Sequence, residues 1–195
     1  MTYTIGHVPS HRGKITTTAP IKDLGVIERI KQCLATSPRD LALFTLGINS
    51  AFRASDILDL HRDDLANRPD GSMEVFVRER KTGKLRRVVI NKKTADVLRA
   101  HLSTSTGTYV FEGQRGKLSV SYFGRLVDRW CGMAGLKGQF ATHTLRKTFA
   151  RINYEHFGVN LATLMYALNH DSERTTMRYL GLVEEDVAAV YQNAI

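Results

Sequence analysis

Apolar positions recur along most of the chain at helical spacing, and strand-like alternation is confined to one stretch. Leu24, Ile27, Ile30 and Leu34 mark one face of a first helix, which Pro20 opens. Ser37-Pro38 interrupts that pattern and starts a second helix through Leu41, Phe44 and Leu46. Ser55 is placed to cap a third helix, carrying Ile57, Leu58 and Leu60. After a turn over residues 67–71, Met73–Arg78 and Leu85–Ile90 alternate apolar and polar residues, and Thr82-Gly83 reverses the chain between them. Asn91 caps a helix through Val97 and Leu102, and residues 109–111 predict a short third strand. Ser119 caps a helix running to about Met133, and Thr142 caps the next. Helices at Leu161–Leu168, 174–180 and 184–193 complete the pattern. Residues 1–18 lack sustained periodicity and read as a flexible arm, with one domain spanning 19–195. The fold class is α+β and mainly helical, a small antiparallel β-sheet packed beside a helical bundle.

Charge narrows the partners. A formal net charge of +9 over 195 residues favours an acidic partner, nucleic acid ahead of a membrane surface. No apolar run approaches the roughly 20 residues of a membrane-spanning helix, and no signal-peptide core precedes the domain. Cys33 and Cys131 fall in helical, partly apolar stretches and read as buried thiols of a reducing cytoplasm. There is no CxxC pair, no HExxH and no glycine-rich phosphate loop, so neither a metal nor a nucleotide cofactor is expected.

The chemistry concentrates in the second half. In His143-Thr144-Leu145-Arg146 an imidazole and a guanidinium three residues apart share one helix face and can reach one anionic group. Downstream, Leu168-Asn169-His170 leads through Thr175-Thr176 to Arg178-Tyr179. Upstream, Arg53 stands between apolar Ala51-Phe52 and Ile57-Leu58, with Asp56 placed to hold its guanidinium. Lys81-Thr82-Gly83 sits at the hairpin tip among Arg80, Lys84, Arg86 and Arg87. Two always-charged planar forks suit the extra charge of a phosphoryl transition state. A phenol of reference pKa about 10 needs cations or a base nearby to attack. Arg78, Arg86, Arg87, Arg125, Arg129, Lys147 and Arg151 are further candidates for contact with a phosphate backbone.

This ordered set, Arg53, Lys81, His143, Arg146, His170 and Tyr179, resembles the catalytic set of the tyrosine recombinase (phage integrase) family, over roughly residues 22–191. The resemblance implies a site-specific recombinase acting on double-stranded DNA, with no small-molecule substrate. Tyr179 would cut one strand to a 3′-phosphotyrosine, and the arginines would clamp the phosphate. His143 would take the tyrosine proton, His170 would donate to a phosphoryl oxygen, and Lys81 would protonate the departing 5′ oxygen. It also implies assembly into a tetramer on DNA, and the tail 184–195, with Val187, Val190 and Ile195, could dock on a neighbouring subunit. The family usually has glycine where this chain has Asn169, and asparagine also tolerates the left-handed turn required there. Strand relaxation in the manner of a type IB topoisomerase, or a non-cleaving DNA-binding accessory role, are the alternatives. Integration, excision and inversion are not distinguished.

Overall fold

The computed structural model describes residues 18–78, 83 and 85–181. Three helices come first: α1 (Leu24–Cys33), α2 (Pro38–Asn49) and the single-turn α3 (Ala54–Leu58). Three antiparallel strands follow, β1 (Leu65–Asn67), β2 (Met73–Arg78) and β3 (Leu85–Ile90), in the order β1-β2-β3. Next come α4 (Lys92–Leu102), a minimal hairpin of β4 (Glu112–Gly113) and β5 (Gly116–Lys117), and α5 (Val120–Met133). The chain continues through α6 (Thr142–Glu155), α7 (Leu161–Leu168) and α8 (Glu173–Leu180). The expected α+β architecture is the observed one.

The hairpin follows its pattern. Met73, Val75 and Val77 of β2 turn inward, and the register pairs Met73 with Ile90 and Arg78 with Leu85. Asn91 and Ser119 cap α4 and α5, their side chains accepting from the amides of Thr94 and Tyr122. Other expectations fail for local reasons. Helix α1 starts at Leu24 rather than at Pro20, because Asp23 Oδ1 accepts from the Gly25 amide at 2.6 Å. Arg53 rather than Ser55 is the N-cap of α3, and Ala141 rather than Thr142 precedes α6, where the Thr144 hydroxyl accepts from the Ala141 amide at 3.2 Å. The third strand of the sheet is Leu65–Asn67; Tyr109 makes only an isolated bridge to His61, and Val110 and Phe111 are spent on the core. Cys131 is buried, its thiol pushed up to about 12 by that burial, whereas Cys33 is exposed. The arm through residue 17, the hairpin tip bearing Lys81, and the tail beyond 181 lie outside the described residues.

Two apolar clusters set the frame. The larger joins α1, α2, α4, α5 and the inner sheet face around Phe44 and Trp130, whose rings meet edge-on at 6.0 Å. Helices α2 and α6 approach closely at Gly47, where any Cβ would lie 2.5 Å from Leu145 Cδ1. The smaller cluster, Ala51, Ala150, Leu164, Leu168 and Leu180, seats α7 and α8 against α6. It therefore fixes the two helix ends on which His170 and Tyr179 stand.

Candidate active site

Five of the six expected site residues fall among the described ones, and they converge at the N-terminal end of α6. Tyr179, on the last turn of α8, places its hydroxyl 3.0 Å from His143 Nδ1. His170 stands between α7 and α8, its ring 4.6 Å from that of Tyr179. Asn169 supplies the turn before it, in the left-handed conformation at φ 49° that the sequence predicts. A pocket of about 190 Å³ opens alongside, lined by Phe52, Arg53, Ser55, Thr142, His143 and Arg146.

The two arginines are held differently. Arg146 is buried, and its guanidinium donates to the Ala51 and Leu168 carbonyls, so it joins the strand of chain before Arg53 to the one before His170. Its Nε is buried without a hydrogen-bond partner, and among the described residues no carboxylate pairs with it. Burial, then repulsion from Arg53, pushes it down to about 10. A desolvated cation without a counterion gains most when an anion arrives. Arg53 is exposed at the pocket rim. Asp56 does not hold the Arg53 guanidinium: its Oδ2 accepts from the Arg53 backbone amide at 3.0 Å, which anchors the start of α3.

Both histidines are disposed to stay neutral. Desolvation, then Arg146, Lys147 and Arg53, push His143 below its ordinary value. Burial, Arg146 and Arg53 push His170 down to about 4. Neutral His143 can accept the Tyr179 proton at Nδ1. His170 Nδ1 lies 3.1 Å from the hydroxyl of fully buried Thr176; with that hydroxyl donating, Nε2 carries the proton and is the ring's donor. Thr176 escaped the sequence reading as an individual residue, although its three-residue offset from Tyr179 puts both on one face of α8.

The same shifts predict an acid response. His101, buried with Nε2 2.8 Å from the Val110 carbonyl, is likewise pushed down by burial. In each case the unfolded chain, at about 6.5, takes up a proton that the folded chain resists. The stability these residues contribute is therefore complete above pH 6.5 and is lost as pH falls toward the folded values, about 4 for His170. The thermal midpoint should drop steadily across that window, and His101→Gln should shallow the slope. A flat midpoint from pH 6.5 to 4.5 would contradict the assignment.

Two of the candidate backbone-contact cations are engaged within the protein. Arg86 donates to the Ala167 carbonyl at 2.6 Å, tying β3 to the end of α7. Arg151 is buried, donates to the Leu180 carbonyl at 2.7 Å and pairs with Glu155, pinning the end of α8. Among the described residues there is no metal-binding group of His, Cys, Asp and Glu, and no helix long and apolar enough to cross a membrane.

A helical scaffold that gathers a tyrosine, two histidines and two arginines at one helix end, beside a small pocket lined by both arginines and His143, is the architecture of a tyrosine recombinase catalytic domain. The comparisons agree. Residues 24–185 match the phage integrase family, and the chain belongs to that family. It is 34% identical over 177 residues to the probable integrase/recombinase YoeC of Bacillus subtilis, covering 89% of this chain and 94% of YoeC. It is 27% identical over 170 residues to the tyrosine recombinase XerC of Syntrophus aciditrophicus, covering 80% of this chain but only 53% of that protein. Among solved structures, the XerA recombinase superposes with a TM-score of 0.75 at 20% identity, over 89% of this chain and 65% of XerA. XerH bound to its difH substrate gives 0.69 at 19% identity, over 91% and 56%.

Proposed function

We propose that this chain cuts and rejoins DNA strands as a site-specific recombinase, with Tyr179 as nucleophile. The observation that carries the reading is the 3.0 Å contact between the Tyr179 hydroxyl and His143 Nδ1, beside a pocket that offers two guanidinium groups. A DNA phosphate seated between Arg53 and Arg146 lies next to the phenol. The Tyr179 oxygen attacks phosphorus while its proton passes to His143. The bond from phosphorus to the 5′ oxygen breaks, and Lys81 gives that oxygen a proton. Both arginines and the His170 Nε2–H stabilise the charge that builds on the non-bridging oxygens. The 3′-phosphotyrosyl bond conserves the energy of the broken linkage, so a 5′ hydroxyl from a second duplex reverses the step without a metal or nucleotide.

The partners are double-stranded DNA in the nucleoid and further copies of the chain, as a tetramer joined through the tail 184–195. Electrostatics supports the first: +9 overall, with Arg53 exposed at the pocket rim.

A nicked duplex that releases a short 5′ fragment after cleavage tests the reading, because it traps a covalent adduct stable to denaturant. Lys81→Ala should lose that adduct with ordinary DNA and regain it when the bridging 5′ oxygen is sulfur, since a thiolate leaves without a proton. Rescue of Lys84→Ala instead would move the acid along the hairpin.

A further inference from the structure

Lys147 follows Arg146 on α6, and its sequence context groups it with surface cations. Its position is more specific. The ammonium lies over the ring of Tyr179, 5.8 Å from the centroid, and Nζ donates to the Thr18 carbonyl at 2.8 Å. The next residue, Thr148, accepts the Ile21 amide at 2.8 Å through its hydroxyl. Segment 18–21 is thus fastened to α6 at two successive residues, and one of them is held against the nucleophile. The lysine is half-buried, and a backbone carbonyl limits where its flexible stem can place the charge.

The chemistry at Tyr179 calls for such a charge. A phenol of reference pKa about 10 must give its proton to a histidine whose own affinity for protons is reduced, which is uphill unless fixed cations favour the phenolate. Arg146 lies 5.9 Å from the same ring centroid, but two of its five donors are held by the Ala51 and Leu168 carbonyls and the proposed reading gives the rest to the phosphate. We propose that Lys147 is a positioning residue for the nucleophile, whose anchored ammonium stabilises the phenolate of Tyr179 rather than binding a DNA phosphate. This rests on Tyr179 being the nucleophile. The charged and titratable groups facing the pair are His143 and Arg146 on α6, Arg178 on α8, His170 before α8, and Arg53 beyond the pocket. Burial, then Arg178, lowers the proton affinity of Lys147, so the Thr18 carbonyl is the contact that keeps the ammonium in place.

Two readouts test this, and the first needs no DNA. An aryl sulfonyl fluoride reacts with phenolates, and mass spectrometry follows its attachment to Tyr179. Lys147→Met, which keeps the stem and removes the charge, should slow labelling at neutral pH by about tenfold, the factor carried by one pH unit of displaced ionisation. The deficit should close as pH rises, and Lys147→Arg should restore most of the rate. On nicked DNA, adduct formation should fall by a similar factor, while DNA affinity keeps its salt dependence. The proposal is overturned by unchanged labelling in Lys147→Met, or by an equal loss at every pH, which marks a displaced α8. It is also overturned if the salt slope drops by about one, the signature of a lost phosphate contact. If labelling behaves as expected but the wild-type chain traps no DNA, the stabilisation of the Tyr179 phenolate by Lys147 stands, while the recombinase reading fails and with it the part Lys147 plays in cleavage.

Discussion

Tyr179→Phe should fold, bind DNA and form no denaturant-stable adduct on a nicked substrate, a loss on the order of 10⁴-fold or more in cleavage rate. The substitution is clean because phenylalanine keeps the ring contacts: His170 edge-on at 4.6 Å, and the cations of Arg146 and Lys147 at 5.9 and 5.8 Å. Only the hydroxyl and its contact with His143 disappear. The cost in stability should stay within roughly 1 kcal/mol, the scale of one hydrogen bond at a partly exposed site. The fold and the chemistry are therefore read separately, by thermal melting and by denaturing gel. Adduct at normal yield from Tyr179→Phe would mean that another residue attacks the phosphate.

The arginines should differ from each other in stability and agree in rate. On the proposed clamp, either Arg→Lys change removes a planar fork from the phosphate, and losing one such donor costs on the order of 10²–10³ in rate in other enzymes. Arg53 is exposed and caps α3 through its backbone, so Arg53→Lys should melt within about 0.5 kcal/mol of the parent. Arg146→Lys cannot span both the Ala51 and Leu168 carbonyls, and each one left unpaired in the interior costs about 1–3 kcal/mol. Melting curves and single-turnover cleavage on the same samples separate the two effects. Cleavage at the parent rate by Arg146→Lys would remove it from the phosphate clamp.

What was legible in the sequence follows from how local its cause is. The β2–β3 hairpin declares itself by alternation alone, and Asn169 by the scarcity of residues that accept a left-handed turn after a helix. His143 and Arg146 share a face because of helical spacing, which needs no tertiary information. What stayed hidden is nonlocal. Arg86 and Arg151 look like surface cations in a basic chain, and only the packed structure aims their guanidinium groups at the carbonyls of Ala167 and Leu180. Asp56 stands at the right offset to pair with the Arg53 side chain, yet the amide at the start of α3 claims it first. Residues 109–111 have strand composition, but the buried interior takes Val110 and Phe111 before a ladder can form.

The carbonyls that hold Arg146 lie 95 residues upstream and 22 residues downstream of it. Contacts of such sequence separation close large loops, and their entropy is repaid only when the surrounding core has condensed. A chain that has made its hairpin and its local helices, but has not yet docked α2 and α7 onto α6, has no assembled clamp at Arg146. On the proposed reading, nicking competence would arrive with the completed fold rather than in stages. A newly synthesised or partly unfolded copy attracted to a chromosome by its positive charge would sit on the phosphates without the assembled means to break them.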